Sequence, residues 1–331
     1  MPKITASKTS TGQTKKATTK AAETPKASTS TTTSPSSTPR SPSPADVFEA
    51  AAIKAEAALP PGLGKLFPEG QKGRALWVWD EKAGSLPDAG RLMVACRAMG
   101  ITQLYVNAYP PTGAHAEQLE RIVTLAAQQG IETQLLVGDP GWTDPGVRPW
   151  IASQVLEPLR AMLDRVQAKN PDLTVKSALH LDVEPQATGL TAEKAQAYVD
   201  MLGWFRGQWS GTLAADVPGW FADPQWQASG KPLGEAILDH ADQLTLMAYS
   251  SAPGAIAGIA EPLVKLASAQ GKKVVVGVET RPSAENVHLP SMEQARDALS
   301  QVDQRFATDA AAGGYSGLAV HDYASLLTLA P

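Results

Sequence analysis

From Ala75 onward the chain alternates short aliphatic runs with longer stretches whose apolar residues recur every three or four positions. The aliphatic runs are ALWVWD (75–80), ITQLYVNAY (101–109), IETQLLVGD (131–139), KSALHLDVE (176–184), GTLAADV (211–217), DQLTLMAYS (242–250), KKVVVGVET (272–280) and YSGLAVHDY (315–323). Their length and β-branched content predict buried strands. The periodic stretches at 87–99, 114–129, 148–169, 191–208, 257–270 and 291–304 predict amphipathic helices, and Gly100, Gly130 and Gly271 sit where a left-handed residue would end three of them. Eight strand-and-helix units in about 250 residues predict one closed (β/α)8 TIM barrel over 74–331. An open doubly wound sheet is the competing topology, but no GxGxxG turn follows the first strand and no Walker motif occurs.

The segment LHLDVEP (179–185) shows what such a barrel is for. Period-two alternation puts Leu179, Leu181 and Val183 on one side and His180, Asp182 and Glu184 on the other. Burying two carboxylates in an apolar layer would cost several kcal/mol each, so that row should line a polar cavity. In a (β/α)8 barrel the active site lies at the C-terminal ends of the strands. The last inward residues there are Trp79 with Asp80, Tyr105 and Asn107, Asp139, Asp182 and Glu184, Asp216, Tyr249, Glu279, and His321 with Asp322 and Tyr323. Every strand ends in a polar or aromatic residue, which points to a built cavity.

Composition changes the picture at the N-terminus. Residues 1–44 are almost all Thr, Ser, Lys, Pro and Ala, and predict a disordered tail; residues 45–73 read as a linker with a short helix. Residues 1–45 hold six Lys and one Arg against one Glu, so with −4 for the whole chain the remainder carries −10. An acidic body argues against a nucleic-acid groove on the globular part, while the basic tail can contact polyanions or serve as a solvated spacer. The single Cys96 excludes an internal disulfide and reads as a helix core residue; no His/Cys cluster has zinc spacing, and no cofactor or metal is expected. No apolar run suits a signal peptide or a membrane span, so a cytoplasmic location is the default expectation, with export by another route left open.

The strand-four ending D-x-E and the MAYS of strand six resemble the D-x-E and M-x-Y elements of family 18 chitinase-like glycosidases. That resemblance implies Glu184 as acid, with Asp182 and Tyr249 holding a substrate acetamido group. Ser177 and His180 stand where the family's longer motif has two further acids. The chain also resembles the clan of barrel glycosidases with one Glu ending strand four and another ending strand seven, here Glu184 and Glu279, although Val183 replaces the Asn common before the acid. Over 75–325, from ALWVWD through ADVPGWF, GVET and AVHDY, it resembles an uncharacterised bacterial group of the TIM-barrel glycoside hydrolase superfamily.

Glycosidic cleavage needs a protonated carboxyl to donate to the leaving oxygen and a second carboxylate as nucleophile or base. Glu184 beside Asp182 suits the acid, because a neighbouring carboxylate raises its pKa, and Glu279 suits the partner, with Gly277 leaving space below it. Retaining, inverting and substrate-assisted routes all stay open. Sugar rings stack on aromatic faces, and the loops offer Trp79, Tyr109, Trp142, Trp220, Phe221 and Tyr323, of which Trp142 and Trp220 lie in Gly/Pro loops. Asn107, Asp139, Asp216, His321 and Asp322 complete the expected carbohydrate-binding set. Two other readings compete: a metal-dependent deacetylase or phosphodiesterase using His180, Asp182, Glu184 and His321, and a non-catalytic carbohydrate-binding barrel.

Overall fold

In the computed structural model the described residues are 59–71, 73–81, 85–284, 286–307 and 313–330. The tail expected over 1–44, and most of the linker expected over 45–73, lie outside them. Within residues 59–71 the chain makes a 3-10 turn at Leu63–Lys65, and Leu63, Leu66 and Phe67 are buried in the core.

Eight parallel strands close into a barrel: β1 (Arg74–Val78), β2 (Gln103–Asn107), β3 (Glu132–Val137), β4 (Ser177–Leu181), β5 (Thr212–Pro218), β6 (Gln243–Met247), β7 (Lys273–Glu279) and β8 (Tyr315–His321). Sequence neighbours are ladder neighbours throughout, and β1 shuts the ring against β8 with Ala75 opposite Ala319. The helices α1 (Ala89–Met99), α2 (Gly113–Gln128), α3 (Arg148–Ile151), α4 (Glu157–Lys169), α5 (Ala192–Gln208), α6 (Leu233–Leu238), α7 (Pro253–Ala269), α8 (Met292–Ala307) and α9 (Tyr323–Leu326) follow the strands. A π-helical turn at Ala152–Leu156 joins α3 to α4. Gly100, Gly130 and Gly271 have φ of 65°, 72° and 65°, the left-handed conformation expected at these helix ends.

The two faces of each strand go to different cores. Outward residues such as Leu179, Leu181, Val276 and Val278 belong to the large apolar cluster under the helices. Inward Ala75, Trp77, Tyr105, Leu136, Val275 and Ala319 form a small cluster inside the barrel. The rest of the interior is polar: Gln134, His180, Asp216, Gln243 and Thr245 are all at most 3% exposed. Buried polar groups are mostly hydrogen-bonded, and here Gln134, His180 and Asp216 bond in series while Gln243 bonds to Gln103 and Tyr105.

Candidate active site

A cavity of about 1130 Å³ opens at the C-terminal mouth. Its wall is made by the ends of β4 to β8 and β1, with the 3-10 turn at Gly219–Ala222 and one face of α7. Seven residues expected from the strand endings meet in it, Trp79, Asp182, Glu184, Asp216, Tyr249, Glu279 and His321, together with Trp220 from the expected loop aromatics.

Local chain geometry places the acids. β4 stops at Leu181, and Asp182 continues the ladder by one bond, its N–H donating to Val137 O at 2.9 Å. A methyl group on Gly138 would lie 1.8 Å from Asp182 O, so only glycine lets the two chains approach here. Buried Val183 then anchors the chain between Asp182 and Glu184, and Pro185 opens a 3-10 turn that ends the strand direction. Glu184 Oε2 accepts a hydrogen bond from Gln186 Nε2 at 2.8 Å. On the far wall Glu279 Oε1 accepts from Arg281 N–H at 2.7 Å and faces His321 Nδ1 at 3.0 Å.

The tautomer of His321 follows from its neighbours. An indole N–H can only donate, and Trp79 Nε1 lies 2.7 Å from His321 Nε2, so Nε2 is the acceptor. The ring proton therefore sits on Nδ1 and points at Glu279. Glu279 Oε1 thus faces two donors, and no described residue bonds its Oε2. Burial, then the negative charges of Asp216 and Glu184, hold the Asp182 carboxyl well above the usual carboxylate range. Burial first, then Glu279 and the other cavity acids, keep the Tyr249 phenol protonated and able to donate.

Four residues expected at the site stand outside this wall, each in a structural role. Trp142 is only 6% exposed and stacks on Phe205 with centroids 6.0 Å apart, because its loop folds down onto α5. Asp139 accepts from Gly141 N–H at 2.8 Å, the start of a 3-10 turn. Asp322 is buried and caps α9 through Ser325 N–H at 2.8 Å. Asn107 donates to Asp80 Oδ1 at 3.2 Å and accepts from Tyr109 N–H at 3.2 Å. The cavity thus belongs to strands four to eight and one, and the loops after β2 and β3 turn away from it.

Other lining residues were not expected. Trp77 lies one inward step below Trp79 and fills the space above Gly277 that was taken to be open. Gln186, Asp223, Arg281 and Asn286 come from loops, where periodicity says nothing about direction; their one signal is proximity to strand endings. Trp220 offers a sugar platform: it is 42% exposed and buttressed by Phe221 and Trp226 at centroid distances of 4.8 and 5.9 Å. Among the described residues no three His, Cys, Asp or Glu side chains converge as a ligand set. Both ring nitrogens of His180 and of His321 already face protein partners. Among the described residues no helix is long and apolar enough to cross a membrane.

No family model matches the chain, and no curated protein matches it. Among solved structures it is similar to the spore cortex-lytic enzyme SleL of Bacillus cereus, at 14% identity, covering 85% of this chain and 81% of that one, with a TM-score of 0.47. It is also similar to a GH18 chitinase from Pseudoalteromonas aurantia, at 12% identity, 77% and 95% coverage and a TM-score of 0.49. A third is the chitinase RmChi1 of Rhizomucor miehei, at 16% identity, 77% and 95% coverage and a TM-score of 0.41. What fold and site define by themselves is a (β/α)8 barrel with an acidic, aromatic-walled cavity at its C-terminal mouth; the functional reading rests on that cavity.

Proposed function

We propose that the protein is a glycoside hydrolase that cleaves an oligo- or polysaccharide by carboxylate acid/base catalysis in this cavity. The observation that carries the reading is that Glu184, Asp182 and Glu279 line one cavity together with the exposed platform of Trp220. Glu184 donates the proton to the leaving oxygen, and Glu279 acts as the partner carboxylate. Two donors on Glu279 Oε1 hold the group in place and leave Oε2 for the anomeric carbon or for a water. His321 positions Glu279 and is itself oriented by Trp79.

A second route uses the same residues differently. Asp182, which holds its proton more tightly than an ordinary carboxyl, and the Tyr249 phenol can both hydrogen-bond a substrate acetamido group, whose oxygen would then take the place of the Glu279 nucleophile. Reducing-end release from a panel of polysaccharides, including chitin, separates the routes once a substrate is found. Glu279→Gln stops cleavage if Glu279 is the nucleophile or base. If the substrate assists, Glu279→Gln is nearly silent, and Asp182→Asn and Tyr249→Phe are the damaging changes. Tight oligosaccharide binding by Trp220 without cleavage of any panel member would instead favour a non-catalytic binding barrel.

A further inference from the structure

A line of hydrogen bonds crosses the barrel interior from β3 to the cavity. Glu132 opens β3 at its N-terminal end and accepts from Gln134 Nε2 at 2.8 Å. That bond turns the other end of the amide, Gln134 Oε1, toward His180 Nδ1 at 2.7 Å. An amide oxygen only accepts, so His180 Nδ1 carries a proton. Turning the amide over would set its oxygen against the Glu132 carboxylate, acceptor against acceptor.

The other ring nitrogen, His180 Nε2, lies 2.9 Å from Asp216 Oδ1. With Nδ1 protonated, two states satisfy this contact: an imidazolium donating to a carboxylate, or an imidazole accepting from a carboxylic acid. Both hold one proton more than a neutral imidazole beside an ionised aspartate. Asp216 Oδ2 accepts from Trp77 Nε1 at 3.3 Å, and His180 and Asp216 are 0% and 3% exposed.

We propose that Glu132, Gln134 and His180 are positioning residues that keep one proton on the His180–Asp216 pair at the cavity floor. The shared proton then offsets part of the Asp216 charge that Asp182 and Glu184 face. A third uncompensated carboxylate in this enclosure would raise the electrostatic cost of ionising either neighbour during the reaction. The functional consequence rests on the glycoside hydrolase reading, whereas the proton count does not. It also accounts for His180, which stands where family 18 glycosidases carry an acid.

Histidine-selective 15N NMR of the full chain near neutral pH tests the relay, with His180 assigned by the signals lost in His180→Asn. Nδ1 of His180 is expected to be protonated in the parent protein and in Glu132→Gln, which keeps an acceptor for Gln134. Glu132→Met keeps the length but offers no acceptor; Gln134 is then free to turn, and His180 should switch to Nε2–H with a bare Nδ1. Asp216→Asn should keep Nδ1 protonated and leave Nε2 accepting from the new amide. With a confirmed substrate, Glu132→Met should lose about tenfold in kcat/KM and Glu132→Gln less than about twofold, as for other residues that orient a reacting group through hydrogen bonds. A bare Nδ1 in the parent overturns the proposal, and so does a Glu132→Met spectrum identical to the parent's. If no glycoside is cleaved, the hydrolase reading falls while the spectra still decide the relay.

Discussion

Gly277→Ala probes the floor of the site through a single methyl group. That methyl would lie 2.7 Å from Trp77 Cη2 and 3.0 Å from Leu246 O. Carbon contacts are comfortable at roughly 3.5–4.0 Å, so the indole would have to move by about 1 Å. It has little room: Trp77 is 1% exposed, edge-on to Tyr105 and His321 at centroid distances of 5.0 and 5.5 Å. Its bond to Asp216 is already 3.3 Å long and would pass out of hydrogen-bonding range. Overpacking of this kind costs about 1–3 kcal/mol, and the lost bond about 1 kcal/mol more. At roughly 2–4 °C per kcal/mol for a domain of this size, Tm should fall by about 4–16 °C. Differential scanning calorimetry measures it, with Gly207→Ala as the matched control. Gly207 is exposed in α5 with nothing within 4 Å of the added carbon, so the same change there should stabilise by about 0.5–1 kcal/mol. A Gly277→Ala protein as stable as its parent would refute the packing argument and the placement of Trp77.

Asp182→Asn should become more stabilising as pH rises. The folded state holds the Asp182 proton more tightly than the unfolded chain does, so this group's contribution is whole in acid and declines as pH rises above the ordinary carboxylate range. The gain in Tm over the parent, measured across that pH range, should therefore grow toward neutral pH; a constant gain would contradict it. The two loop tryptophans should part company. Trp142→Ala removes a buried side chain and should cost about 3–5 kcal/mol in urea unfolding. Trp220→Ala should change stability by less than about 0.5 kcal/mol, yet weaken polysaccharide binding about tenfold in isothermal titration calorimetry. Equal effects of the two on stability would undo the distinction between core and platform.

The barrel was legible because parallel strands buried on both faces read as near-continuous aliphatic runs, and because a left-handed residue at a helix end selects glycine. Period two also separated Leu179 and Leu181, which pack under the helices, from His180, which lies inside the barrel. The site was legible only in part. Listing the last inward residue of each strand treats all eight loops alike, whereas the loop after β3 folds outward on two aspartate-capped turns, at Gly141 and Gly146 N–H, and buries Trp142. A tryptophan in a Gly/Pro loop carries no mark of which way the loop turns. Gln134 shows another limit. In IETQLLVGD it looks like one polar residue in an aliphatic run, and its use appears only when β3 and β4 are paired with Leu136 opposite His180. Gly277 does admit something into the barrel, but what enters is an indole from β1, a partner 200 residues away that no local pattern names.

The central claim is that Glu184 is the proton donor for glycosidic cleavage in this cavity. Its most direct test compares the parent with Glu184→Gln on one confirmed polysaccharide and on an aryl glycoside with an activated leaving group, under single-turnover conditions. Losing general-acid assistance costs about 10²–10⁴-fold where the leaving group needs a proton and far less where it does not. The prediction is a loss of that size on the polysaccharide with a much smaller one on the aryl glycoside. Equal rates for parent and Glu184→Gln on the polysaccharide would contradict it.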